Sequence, residues 1–320
     1  MKAMVLNSYG ETATFEAENI DEPKVSEGHV LVRIAASSVN TVDTMIRQMG
    51  QENLPLSPDL PAVLGMDFAG TVEAVGEGAS GFTVGDEVYG CAGGLIGLQG
   101  TLTELINADA RLIAHKPKSI SMREAAALPL GGLTAYRAVF THGKLLEGEN
   151  VLISGVGGGV AQFAFQFAVA TGASVYVTSG SVDKINKCVE LGAKGGFNYK
   201  EDWNKQAMIA SGGFDLVIDS AGGDQINDFI KMMKPAGRIV FYGATNGMPS
   251  KLDVFKMFWN QITLQGSTMA NDDEFKAMIA YVKKNRIEPI IDSVRQFDEI
   301  VDAFDKMKDG KQFGKLVARL

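Results

Sequence analysis

The sequence predicts an α/β chain in which a mixed β part, built from both chain ends, carries an inserted doubly wound parallel sheet. Three observations predict this. From 122 to about 266, short apolar runs alternate with helical patterns, as in βαβ units on a parallel sheet. The first strand-to-helix turn of that segment is a glycine cluster, Gly155 to Gly159. On either side, 1 to about 120 reads as β-rich, and about 267 to 320 closes with two helical patterns and a strand.

Taken in order, His29-Val-Leu-Val-Arg-Ile34 is an apolar run broken by Arg33, and Gly70-Thr-Val-Glu-Ala-Val75 alternates. Gly76, Gly78, Gly81 and Gly85 punctuate the segments that follow. The central strands are Val151–Ser154, Val175–Thr178, Phe214–Asp219 and Arg238–Tyr242, and Ala161 to Ala170 reads as a helix stopped by Gly172. Phe163, Phe165 and Phe167 stand two apart, so they cannot share one helix face and read as packing on two neighbours. After 266 come a helix over Glu274–Lys284, a helical pattern from Phe297 to Met307, and a closing strand Lys315–Leu320. The expected domains are 1–121 with 267–320, and 122–266.

Composition narrows the function classes. Among 320 residues, 30 Lys and Arg stand against 38 Asp and Glu, a net charge of −8. Such a surface repels phosphate backbones and anionic lipid, which argues against nucleic acid and membrane partners. Cys91 and Cys188 form no CxxC, and His29, His115 and His142 stand far apart, so no metal-ligand spacing is present. Met1 to Gly10 lacks a signal-peptide run. The uncharged stretch Val151 to Val182 is long enough to span a bilayer. However, its glycines, Gln162, Gln166 and its change of period make it strand, helix and strand instead. A soluble, cytoplasmic protein is expected.

In Ser154-Gly-Val-Gly-Gly-Gly-Val-Ala161 the glycines follow a strand and open a helix. A tight turn there wants positive φ, and a dinucleotide pyrophosphate must approach the backbone closely. Gly155, Gly158 and Ala161 match G-x-x-G-x-x-A, with Gly159 and Val160 at the head of the helix, whose N-terminus favours phosphate. A tight αβ turn without a ligand is the alternative. An NAD site places Asp or Glu about 20 residues on, against the ribose 2′-hydroxyl. Here the second strand ends Val177-Thr-Ser-Gly-Ser-Val-Asp-Lys184. The hydroxyls of Ser179 and Ser181, the room at Gly180 and the charge of Lys184 suit a 2′-phosphate, hence NADPH. The alternative is a solvated helix start with a serine cap.

The rest of the chain resembles the medium-chain dehydrogenase/reductase superfamily, and within it the zinc-independent quinone oxidoreductase (zeta-crystallin-like) branch. Ser38 to Arg47 resembles that branch's N-x-x-D-x-x-x-R segment. Leu64-Gly-Met-Asp-Phe-Ala-Gly-Thr-Val72 and Gly85-Asp-Glu-Val-Tyr-Gly90 match two further signatures, and Leu128 to Tyr136 resembles the segment leading to the nicotinamide pocket. Leu191-Gly-Ala193, Asn198-Tyr199 and Gly314-Lys-Leu-Val317 add to it. The resemblance implies a GroES-like β domain plus a Rossmann domain, with the active site in the cleft between them, and a homodimer. Zinc alcohol dehydrogenases of the superfamily carry cysteine where Ser38–Asn40 stand and G-H-E where Gly65-Met66-Asp67 stand, so no catalytic zinc is expected here. Some quinone reductases have tyrosine where Met45 stands, so a tyrosine contact to the substrate carbonyl is not implied for this chain.

Without a metal, hydride addition to a quinone or an α,β-unsaturated carbonyl is the easier chemistry, because charge spreads onto a distant oxygen. The resemblance places Asn40 and Thr134 near the nicotinamide, Tyr199 beside the adenosine, and Tyr242 and Gly243 at the pocket wall. For Asn40 the alternative is an asparagine satisfying a turn, and for Thr134 a helix cap. Asp43 and Arg47, four apart, pair across one helix face in the favoured reading. Asp67 has a structural hydrogen-bonding role, with a proton relay as the alternative. The same fold also admits an enoyl-thioester reductase, an alcohol dehydrogenase or a non-catalytic NADPH-binding sensor.

Overall fold

The computed structural model describes residues Met1–Leu320, which divide into two compact units, 1–130 with 289–320, and 131–288. The first unit contains β1 (Lys2–Leu6), β2 (Phe15–Asn19), β3 (His29–Val39), α1 (Thr41–Asn53), β4 (Ala62–Val63), β5 (Asp67–Val75), β6 (Glu87–Cys91), β7 (Leu105–Asp109), β8 (Ile113–His115) and α2 (Met122–Ala127). Then α3 (Pro129–Tyr136) runs across the division.

The second unit contains β9 (Asn150–Ile153), α4 (Gly159–Ala170), β10 (Ser174–Ser179), α5 (Val182–Glu190), β11 (Gly195–Asn198), α6 (Asn204–Ser211), β12 (Phe214–Asp219), α7 (Gln225–Met232), β13 (Met233–Phe241), α8 (Val254–Trp259), β14 (Thr263–Gly266) and α9 (Asp272–Asn285). The chain then returns to the first unit with β15 (Ile291–Gln296), α10 (Ile300–Lys308) and β16 (Lys315–Arg319).

In the first unit the larger sheet runs β15-β16-β3-β5-β6-β8, with β7 also paired to β3. β3 is its hub. It pairs antiparallel with β5, β7 and β16, so residues far apart in sequence meet along one strand. At its carboxyl end, Ser38 faces Asp67 on β5 and Val317 on β16. Val30, Val32 and Ile34 turn into a core with Phe68, Val72 and Ile106. Gly70 is required by that closeness, since a Cβ there would meet the Arg33 carbonyl at 2.1 Å.

The second unit is a six-stranded sheet in the order β11-β10-β9-β12-β13-β14, parallel throughout. The order turns at β9, and the carboxyl ends of β9 and β10 lie beside the glycine turn, where ligands bind in open α/β sheets. Phe163, Phe165 and Phe167 of α4 are all fully buried, which fits packing on two sides. The sequence yields four of these strands. It misses β11, whose Gly195-Gly-Phe-Asn198 has no alternation, and the short edge strand β14, Thr263-Leu-Gln-Gly266.

The division falls at 130/131 and 288/289, where the sequence placed it at 121/122 and 266/267. Residues 122–127 form α2, which packs on β3 and β5. Helix α9 is held in the second unit by side chains. Glu274 accepts Arg137 at 2.6 Å, and the Tyr281 ring lies 4.7 Å from Phe140 and 5.5 Å from Phe167. No helix is long and apolar enough to cross a membrane.

Candidate functional site

Asn40 follows β3 and caps α1, and its polar atoms face partners in the interior. Its backbone N–H donates to Asp43 Oδ2 at 2.8 Å, its Nδ2 donates to Asp67 Oδ2 at 2.9 Å, and its Oδ1 accepts from Lys315 Nζ. Asp67, fully buried, also accepts Ser38 Oγ at 3.0 Å, Lys315 Nζ at 3.2 Å and, on Oδ1, the Leu130 N–H at 2.9 Å in the first turn of α3. A carboxylate at a helix start is stabilised by the helix dipole. A buried charge needs a partner and hydrogen bonds, and Asp67 has both.

Asp43 and Arg47 do not pair, contrary to the sequence expectation. Arg47 turns away, donating from Nε to the Ala13 carbonyl at 2.6 Å and from Nη1 to Asp305 at 2.8 Å, with Phe15 and Phe304 rings 5.9 Å from its guanidinium carbon. Asp43 is left fully buried with Oδ1 unpartnered. Burial pushes its carboxyl up to about 7; the Asn40 N–H opposes this and the charge of Asp67 adds to it. Burial, with Asp67 adding to it, raises the Cys91 thiol well above its ordinary value.

A zinc ion does not fit these residues. No group of three His, Cys, Asp or Glu side chains in the chain is arranged to hold a metal ion, and a zinc site takes about three such ligands. Met66 is buried, Ser38 spends its proton on Asp67, and the positive charge beside Asp67 is the Lys315 ammonium.

In the second unit the glycine turn has the shape a dinucleotide needs. Gly155 sits at φ 62°, and the turn is tied to β10 by Gly155 N–H on Thr178 Oγ1 at 3.2 Å and Val156 N–H on the Thr178 carbonyl at 3.0 Å. Gln162 reaches back from α4 to the Val156 carbonyl. Gly158 is the cap of α4 and Gly159 its first residue, and Gln162 is the residue whose N–H bonds back to Gly158, at 3.0 Å. The amides of Gly159, Val160 and Ala161 precede that bond, at the phosphate-favouring end of the helix.

At the end of β10, Ser179 is buried and its Oγ accepts the Ser181 N–H at 3.2 Å. Ser181 holds the cap position of α5 without a side-chain capping bond, and Lys184 lies in the first turn. Tyr199 is half exposed, and its hydroxyl would stand 2.8 Å from a Cβ at Gly180.

Thr134 is not a helix cap, as one expectation had it. It lies inside α3, buried, with its Oγ1 unpartnered. Gly243 has a local explanation, since a Cβ would meet the Ser220 carbonyl at 2.4 Å. Burial pushes the Tyr242 phenol up, and the charge of Asp219 adds to it.

Sequence reasoning missed three residues of these clusters. Lys315 lies on a strand buried on both faces, so alternation gave no sign of an inward lysine. Ser38 stands out in the sequence only as part of a motif. Asp219, fully buried at the end of β12, accepts from Ser154 and from the Gly222 N–H at 2.7 Å.

Comparison with known proteins bears on both units. Residues 159–284 match the zinc-binding dehydrogenase family and residues 26–118 the alcohol dehydrogenase GroES-like domain. The chain is 31% identical to a zinc-type alcohol dehydrogenase-like protein, YogA, of Leptosphaeria maculans, over 94% of this chain and 93% of that one. It is 33% identical to the 2-methylene-furan-3-one reductase of Solanum lycopersicum, over 99% of this chain and 78% of that one. A solved NAD-dependent alcohol dehydrogenase superposes with a TM-score of 0.92 at 30% identity, covering 100% of each chain.

The buried Asp43 carboxyl has a pH signature. In the folded chain it holds its proton up to about 7, while unfolded it releases it near 4. Between those values the native state binds more protons than the unfolded state, so this group's contribution to stability falls as pH rises. Urea unfolding of wild type and Asp43→Asn in parallel is expected to show wild type losing ground to the variant from about pH 4 to about pH 7 and level above. A difference independent of pH would contradict it.

Proposed function

The chain belongs to the medium-chain dehydrogenase/reductase family, in its quinone oxidoreductase branch, and on that premise we propose an NADPH-dependent, zinc-independent oxidoreductase that transfers hydride to a quinone or an α,β-unsaturated carbonyl. The observation that carries the reading is the Lys315 ammonium held between Asp67 and Asn40. It supplies a fixed positive charge where a metal-dependent site would need open coordination. A protein without a Lewis acid handles a conjugated acceptor more readily than a simple alcohol.

The bound cofactor supplies the hydride. Gly155, Gly158, Gly159 and Val160 take the pyrophosphate through backbone amides. Ser179, Ser181 and Lys184 take the 2′-phosphate, a role favoured by the absence of a cap bond at Ser181 and of any carboxylate between Val177 and Val182. Tyr199 packs beside the adenosine, and Tyr242 with Gly243 walls the pocket. The unpartnered Thr134 hydroxyl orients the nicotinamide amide, and Asn40 donates toward the acceptor. The enone reductase relative of Solanum lycopersicum supports the acceptor class. The NAD-dependent relative makes NADH the competing cofactor.

The test is nicotinamide oxidation followed by absorbance, with NADPH and NADH side by side against a quinone, an enone and an aldehyde. Turnover of quinone or enone with NADPH is expected, and turnover of aldehyde alone would contradict the reading. Lys184→Ala is expected to weaken NADPH binding by about 1.5–3 kcal/mol, the usual worth of a hydrogen bond to a charged group, and to leave NADH nearly unchanged. Equal losses would sink the 2′-phosphate assignment.

The protein works in the cytoplasm as a homodimer in this proposal. β14 is an edge strand, and the nearby α8 exposes Phe255 (65%), Phe258 (65%) and Trp259 (71%), with the Phe255 and Trp259 rings stacked at 6.1 Å. An unpaired edge beside an aromatic patch suits a second copy of the same surface. Light scattering is expected to return twice the chain mass, and a monomer at micromolar concentration would contradict this.

A further inference from the structure

The end of β11 brings a second lysine to the loop that leaves β10. The two strands pair in parallel with Ser179 opposite Asn198, and the Tyr199 N–H donates to the Ser179 carbonyl at 3.3 Å. Tyr199 and Lys200 therefore leave their strand alongside Gly180 and Ser181. Gly180 records how near they come. A Cβ there would stand 2.8 Å from the Tyr199 hydroxyl and 2.9 Å from Lys200 Cε. The room that the sequence offers a phosphate at Gly180 is thus bordered by two side chains folded back over the loop. The Lys200 ammonium is one bond beyond Cε, within about 4.5 Å of that same point.

The turn that carries Lys200 is set by Asn198. The Lys200 N–H donates to Asn198 Oδ1 at 3.1 Å, and Asn198 Nδ2 donates to Glu201 Oε1 at 3.1 Å, which engages the acid next in sequence. The Lys200 side chain is exposed. Fold stability gives no reason for cations here. α5 opens at Val182, and the start of a helix favours anions and disfavours cations. Yet Lys184 stands in that first turn, Lys200 reaches over the residue before the cap, and Asp183 is the one acid of the turn. The Ser181 hydroxyl, which makes no capping bond, lies beside them. Hydroxyls, a phenol, helix amides and an ammonium around one glycine form a donor set for a phosphate monoester dianion.

We propose that Lys200 is a specificity-determining residue, the second cation of the 2′-phosphate subsite, which folds over Gly180 to pair with the phosphate and so separates NADPH from NADH. The inference rests on the NADPH reading above and extends it. There Lys184 meets the phosphate from the helix, and here Lys200 meets it from the neighbouring strand. NADH carries a hydroxyl at the same ribose carbon and offers the ammonium no charge.

The test is the Kd of NADPH and of NADH, by fluorescence titration of the full-length protein, for wild type, Lys200→Gln, Lys200→Arg and Lys184→Ala. Because Lys200 is exposed, its variants are expected to melt with wild type. Lys200→Gln is expected to weaken NADPH roughly tenfold or more, the worth of one hydrogen bond to a charged group, and NADH less than about twofold. Lys200→Arg, which keeps the charge, is expected to keep the preference. A preference for NADPH that Lys184→Ala abolishes and Lys200→Gln leaves intact overturns the proposal while the NADPH reading stands. Equal losses of both cofactors in Lys200→Gln overturn it as well. Wild type that does not prefer NADPH removes the NADPH reading, and this proposal with it.

Discussion

The buried ion pair between Lys315 and Asp67 is the constraint from which the rest of the first unit follows. Taking two charges out of water costs several kcal/mol per ion, and only close geometry with further hydrogen bonds offsets it. Asp67 meets that demand with donors from Ser38, Asn40, Lys315 and the Leu130 backbone. These donors come from β3, its junction with α1, β16 and the head of α3. A slip of β16 or β5 by one residue against β3 would turn every side chain to the other face and leave at least one charge buried alone. The pair therefore acts more as a register pin than as a source of net stability.

The second unit is organised by backbone geometry instead of charge. Its glycine turn is fixed by hydrogen bonds to Thr178 and by Gln162 reaching back from α4. This leaves the start of α4 as the natural seat for phosphate. Around it, Asp219 is met by hydrogen-bond donors and not by a cation; burial raises its carboxyl and these donors oppose the rise. The two units thus manage buried acids in opposite ways. One uses a lysine and the other uses hydroxyl, amide and backbone N–H groups.

Much of this was legible in the sequence. The period change from strand to helix around Val151–Ala170 and the glycine spacing predicted β9, the turn and α4 to within two residues. The motif order predicted the two kinds of unit. Asn40 stands out in the sequence because its segment resembles a known one, but its buried partners do not. Lys315 sits 275 positions away and enters only through the pairing of β16 with β3. The pairing of Asp43 with Arg47 failed for a related reason. Spacing of four permits contact on a helix, but Arg47 finds Asp305 on α10, which no local pattern reveals. The unit boundaries moved because side chains such as Glu274 and Tyr281 bind α9 to its neighbours, and hydropathy carries no record of such contacts.

At the cluster around Asp67 the positive charge is the Lys315 ammonium, and the proposed reaction runs without zinc. Elemental analysis of the purified protein, made on the same sample whose NADPH-dependent turnover of an enone is measured, tests it most directly. Full turnover with zinc far below one ion per chain is expected. One zinc per chain, with turnover lost on its removal and restored on its return, would contradict it.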